Sequence, residues 1–186
     1  MVSRLRSSHC SAIRPRHSKA FMDLDSALED KPAEGATASE ILRADHSSIE
    51  RLFTEYERAA DEPNARHVAL EGLSMQLELH DNLEISVFYP AMQEREPQLA
   101  AAARSAHDSL RKFIVALRER AGDSQCGALV TELKAEFERH VAEEEEPLFT
   151  ALERCSDRQQ RELGTALSRR KEELTRSTAE LEGPAT

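Results

Sequence analysis

From residue 39 onward the apolar residues return every three to four positions, the period of helices that turn one face inward. The spacing predicts a first helix over 39–60, with Leu42, Ile49, Phe53 and Tyr56 on its apolar side. Thr37 and Glu40 ahead of it fit a capping box, in which a hydroxyl and a carboxylate satisfy the first free amides of a helix. Asp61, Glu62 and Pro63 make a turn, and Pro63 suits a first helical position. A second helix over 64–94 gathers Leu73, Leu77, Val87 and Ala91 in one arc. Glu96 and Pro97 open a third over 97–121, with Ala100, Ala103, Leu110, Ile114 and Leu117 inward. Gly122 ends it and Asp123 caps a fourth over 124–154, which carries Leu129, Leu133, Phe137, Pro147 and Ala151. A thinner stripe of Leu163, Leu167, Leu174 and Leu181 marks an outer helix over 156–182.

Two prolines interrupt this regularity. Pro90 removes the amide that would bond the Ser86 carbonyl, so the end of the second helix should kink or loosen. Pro147 occupies the place that Val87 holds in the second helix, and predicts a local break just past Glu144. Four long helices joined by short turns give an all-α fold, an up-and-down four-helix bundle over 39–154. Residues 155–186 add a C-terminal helix and tail, and residues 1–38 are expected to be a disordered, flexible N-terminal extension.

Composition agrees with solvated helices: 32% of the residues are charged, 4% are aromatic and Trp is absent. No run of eighteen apolar residues occurs, so no membrane span is expected. A net charge of -10 makes nucleic acid a poor partner for the folded part. Residues 1–22 go against that charge, with Arg4, Arg6, Arg14, Arg16 and Lys19 and no acid. Two readings fit this start: an organelle transit peptide, or an unstructured extension ahead of a true start at Met22. Cys10, Cys126 and Cys155 are odd in number and lack metal-type spacing, as ordinary thiols of a reducing, cytoplasmic setting would.

The chemistry lies in the polar residues set into the apolar stripes. HDNLEISVFYP, from His80, recurs in altered form as HVAEEEEPLFT, from His140, and aligns His80 with His140 and Glu84 with Glu144. A His followed four residues on by a Glu puts both side chains on one helix face, about 6 Å apart. With seven His in the chain the spacing alone is weak: His46 with Glu50 and His67 with Glu71 also match. The company is more telling, because another His precedes each copy, His46 by 34 residues and His107 by 33. The chain thus reads as two helix hairpins, each giving a His and then a His with a Glu. His67 lies thirteen residues before His80, about 140° away round the helix, and falls outside the set.

A lone His on an apolar face is usually a core residue with one hydrogen-bond partner. Four of them with two Glu are different, because burying these groups without a cation costs several kcal/mol per unpaired charge. Imidazole with carboxylate and no thiolate suits iron, zinc, manganese or copper. Six ligands are too many for one tetrahedral zinc and fit two ions. With two His per ion, both Glu bridging and a bridging oxide or hydroxide, each ion keeps one open position.

These motifs, DHSSI around His46, HDNLEISVFYP, HDSLRKF from His107 and HVAEEEEPLF, resemble those of the hemerythrin-like, His-His-Glu family of non-haem di-iron bundles over residues 40–154. The resemblance implies a four-helix bundle with a carboxylate-bridged pair of iron ions. It gives metal roles to His46, His80, Glu84, His107, His140 and Glu144. A ferritin-like site fits poorly, since it uses Glu-x-x-His pairs and further Glu ligands. The chain departs from the oxygen carriers of the family at two places. Arg111 stands where they have a fifth His, and the last acid is read as Glu144, four residues after His140, with Glu145 as its rival. Asp81, Glu143, Glu50 or a water are the candidates to complete the shell.

Three functions follow as expectations. The first is a module that binds or senses dioxygen, nitric oxide or iron. The second is an enzyme that consumes peroxide, with Tyr56 or Tyr89 as a nearby phenol, and the third is a metal-free helical scaffold.

Overall fold

A computed structural model describes residues 35–120 and 126–181, together with the side chains of all these except Ala106 and residues 178–181. The expectations for residues 1–34 and for Gly122 and Asp123 lie outside the described residues. Among those described there are helices and no strands: α1 (Ala38–Arg58), α2 (Pro63–Leu83), α3 (Tyr89–Arg95), α4 (Pro97–Glu119), α5 (Cys126–Glu144), α6 (Thr150–Glu153) and α7 (Asp157–Leu181). A π-helical turn, Glu84–Phe88, joins α2 to α3, and a second, Glu145–Phe149, joins α5 to α6. Each joined pair is one long rod, so the described residues form five rods.

Local sequence sets the boundaries. Thr37 and Glu40 form the expected capping box, with the Thr37 amide donating to Glu40 Oε2 at 2.8 Å. Pro63 and Pro97 sit in the first turns of α2 and α4, where a missing amide costs nothing. Helix α1 packs on α2, α2 on α4, α4 on α5 and α5 back on α1, which closes a four-rod bundle. Helix α7 lies outside it, mainly against α1. Leu163 and Leu167 are buried there, as their stripe requires.

The π turns shift the inward face. In α2 the arc His80–Glu84 should continue to Val87 and Ala91, but the buried residues beyond Glu84 are Phe88, Tyr89 and Met92. Val87 and Ala91 are only half-buried. A π turn holds one residue more than an α turn, and the Tyr89 amide bonds the Glu84 carbonyl five residues back. Everything after it rotates by about one position, about 100°. The distortion that Pro90 imposes is thus taken up before the proline, in the π turn that ends at Phe88. A similar shift occurs past Glu144, where Leu148, Phe149 and Leu152 are buried and Pro147 is half-buried, although Ala151 is buried as expected. In α5 Val130 is buried where Leu129 was expected, and Leu129 packs at the margin.

The apolar core has two parts. One, near the two π turns, contains Leu42, Leu83, Phe88, Tyr89, Leu148 and Phe149. The other contains Ile49, Phe53, Leu77, Leu110, Leu133 and Phe137. Each of the four bundle rods passes from one to the other through a polar residue: Leu42–His46–Ile49, Leu77–His80–Leu83, Ala103–His107–Leu110 and Phe137–His140–Leu148. Fully burying a Leu or Phe contributes about 1.5–3 kcal/mol, so the two apolar layers can carry a polar one between them.

Candidate metal centre

All six residues singled out in the sequence lie in this polar layer and are buried, none more than 3% exposed. Helical period explains it, since each is on the apolar side of its rod at the same depth. Ligand-type atoms of His46, His80, Glu84, His140 and Glu144 all lie within 4.8 Å of one another. His107 stands beside this group, with Nδ1 3.2 Å from Glu84 Oε2. The rings fall into two close pairs, His46 with His80 at 4.8 Å between centroids and His107 with His140 at 5.0 Å.

Glu84 is at the middle. Its Oε1 is 3.0 Å from His80 Nε2, 3.6 Å from His140 Nε2 and 4.0 Å from His46 Nε2. Its Oε2 faces His107 and accepts a hydrogen bond from the Tyr89 hydroxyl at 3.2 Å. The carboxylate therefore presents one oxygen to His46, His80 and His140 and the other to His107. Glu144 reaches in from α5, with Oε2 3.3 Å from His46 Nε2 and 3.7 Å from His140 Nε2.

The charges depend on one another. Burial alone would raise the Glu84 carboxyl, but His80 and His140 hold it well below its ordinary range. Burial, joined by repulsion from Glu84, raises Glu144. Burial works against a charge on His46, yet the carboxylates of Glu144 and Glu145 beside the ring outweigh it and raise it to about 10. Burial lowers His80, whereas in His140 the pull of Glu84 prevails over burial and raises the ring.

These groups do not satisfy one another. His46 Nε2, His80 Nδ1, His107 Nδ1, Glu84 Oε1 and both Glu144 oxygens are buried with no hydrogen-bond partner among the described residues. Donors and acceptors within 4 Å that fail to align are what a metal-binding layer leaves when its residues are set for a cation and not for each other. Imidazole and carboxylate without thiolate fit a divalent or trivalent first-row metal. His46, His80, Glu84, His140 and Glu144 could hold it, with His107 beside them.

Other candidates separate cleanly. Glu145 lies outside the central group and takes the hydrogen bond of His46 Nδ1 at 2.8 Å. Asp81 does the same for His107 Nε2 at 2.6 Å. Glu50 is exposed, and Glu143 is exposed and paired with Arg139. His67 is at the surface beside Glu71. Tyr56 packs in the second apolar cluster with the Arg66 guanidinium over its ring, away from the site. Lys171 of α7, paired with buried Asp45 next to His46, has no sign in the sequence, because only the fold brings the two together.

Fold and site together define a helical bundle with a buried histidine–carboxylate layer suited to cations. The chain belongs to the family of the hemerythrin HHE cation binding domain, which matches residues 37–152. No protein of curated function and no solved structure matches it. No helix among the described residues is long and apolar enough to cross a membrane.

Proposed function

We propose that this protein is a non-haem iron protein that takes up a small diatomic ligand, dioxygen or nitric oxide, at a pair of carboxylate-bridged iron ions. The two close ring pairs and the two-sided Glu84 support two ions, each with two imidazoles and shared carboxylates. The unpaired atoms of the buried layer carry the reading. Bound iron would supply an open coordination position and one-electron redox chemistry.

The chain's own part is to position and shield. Phe137, Phe149 and Tyr89 pack against the imidazoles, with Phe149 stacked on His46 at 6.0 Å, and keep the layer dry. Tyr89 holds Glu84 through its hydroxyl, and burial beside Glu84 and Glu144 keeps that phenol protonated as a donor. A fixed phenol donor orients the Glu84 carboxylate, which would remain the metal-binding group.

Anaerobic loading with ferrous iron, followed by exposure to air or nitric oxide, tests the proposal. The expected result is one stoichiometric spectral change in the near-ultraviolet charge-transfer region. Sustained oxygen evolution on adding hydrogen peroxide would replace this reading with peroxide turnover. No iron uptake would leave a helical scaffold.

A further inference from the structure

His46 and His107 have no buried carboxylate one turn further on. The residues there, Glu50 and Arg111, are at the surface. Each ring instead gives its outer nitrogen to a carboxylate from another rod. His46 Nδ1 is 2.8 Å from Glu145 Oε1, and Glu145 Oε2 is 3.4 Å from Arg43 Nε. His107 Nε2 is 2.6 Å from Asp81 Oδ1, and the same oxygen is 3.3 Å from Arg111 Nε. Two chains of the same kind, arginine to carboxylate to imidazole, thus run from the surface to opposite halves of the site.

They do not descend from the repeat. With His80 laid on His140, Asp81 falls on Val141 and Glu145 on Ile85, neither of which ionises. The two halves therefore reach the same arrangement from different positions, and each can be removed without touching the other. The chemistry of the contact is specific as well. A neutral imidazole carries one N–H, and a carboxylate at one nitrogen draws that proton outward and leaves the lone pair on the other. In the neutral form that a metal requires, His46 would present Nε2 inward and His107 would present Nδ1, the atom that lies 3.2 Å from Glu84.

We infer that Asp81 and Glu145 are positioning residues for two separately tuned metal positions. Asp81 sets His107 to bind through Nδ1, and Glu145 sets His46 to bind through Nε2. Arg111 and Arg43 anchor the two carboxylates. A cleft of about 200 Å³ lined by Asp81, Asn82, Arg111 and Val115 opens beside the chain that ends at His107. This inference rests on the metal reading above, and the test separates the two.

Cobalt(II) serves as the probe, titrated into the full chain against a chromophoric chelator, with Asp81→Asn, Glu145→Gln, their double variant and Glu143→Gln as the surface control. The amides keep the shape of each side chain and an oxygen to accept the N–H, and remove the charge. Each single variant should weaken one of two bound equivalents by about 10–100-fold and leave the other, while the double variant weakens both. In proton NMR of the cobalt form, the shifted, exchangeable N–H signal of His107 should exchange faster in Asp81→Asn, and that of His46 in Glu145→Gln. If Asp81→Asn does not fold, Arg111→Ala should weaken the same equivalent by less. Loss of both equivalents from either single variant, or of neither, would overturn the inference while the metal reading stands. A wild-type chain that binds no cobalt would remove both.

Discussion

The Nε2 atoms of His80 and His140 lie 3.3 Å apart across the bundle, and Glu84 Oε1 is 3.0 Å from the first and 3.6 Å from the second. The two halves of an internal repeat therefore meet nitrogen to nitrogen over one carboxylate oxygen. Neutral imidazoles can share one proton at such a contact, but the unpaired atoms around it remain. A cation held between them would satisfy these atoms at once.

Phe137 forms the floor of the layer, fully buried and with ring centroids 5.9, 6.4 and 6.0 Å from His46, His80 and His140. Phe137→Ala should lower stability by about 3–5 kcal/mol, since a large buried ring leaves a cavity. Denaturant unfolding of the metal-free protein measures it.

Tyr89→Phe removes the hydroxyl that donates to Glu84 and leaves the ring in place. A lost hydrogen bond to a buried carboxylate costs about 1.5–3 kcal/mol. The cost should be seen in chelator-treated protein and shrink in metal-loaded protein, where Glu84 gains another partner. Melting curves of wild type and Tyr89→Phe in both states give the comparison.

Gly164→Ala should detach or tilt α7. A Cβ at residue 164 would run into the Ala36 carbonyl oxygen and the Thr37 backbone, which cannot give way as a flexible side chain would. The expected loss is about 1–3 kcal/mol, the usual cost of overpacking. Limited proteolysis of α7 should accelerate in this variant.

The metal-free protein should lose stability as pH rises. His46 is raised from 6.5 to about 10, burial being outweighed by Glu144 and Glu145, so its contribution is full below pH 6.5 and is lost by about pH 10. Glu144, raised by burial and by Glu84, acts in the same direction at lower pH. Glu84 is lowered and acts oppositely, with stability lost as pH falls below 4.5. Melting temperatures of chelator-treated protein between pH 6.5 and 10 should decline, and restored metal should flatten the decline.

Most of the site could be read from the sequence because it is written in helical period. His46, His80, His107 and His140 fall on apolar stripes, and Glu84 and Glu144 follow by one turn, so their common depth needs no tertiary information. Past Glu84 the same reasoning fails. It assigns Val87 and Ala91 to the core, where one extra residue in a π turn puts Phe88, Tyr89 and Met92. Pro90 and Pro147 signal a break, but its type decides which face turns inward. Asp81 and Glu145 could be named as spare carboxylates, but their partners could not, since each bond joins different rods. The Lys171–Asp45 pair is of the same kind.

The central claim, that this layer exists to hold metal, is tested most directly by metal analysis of protein reconstituted anaerobically with ferrous iron and desalted. His80→Ala and His140→Ala should each lose most of the bound iron, whereas His67→Ala, at the exposed surface of α2, should retain the wild-type amount. Equal iron in all four proteins, or none in the wild type, would contradict the account.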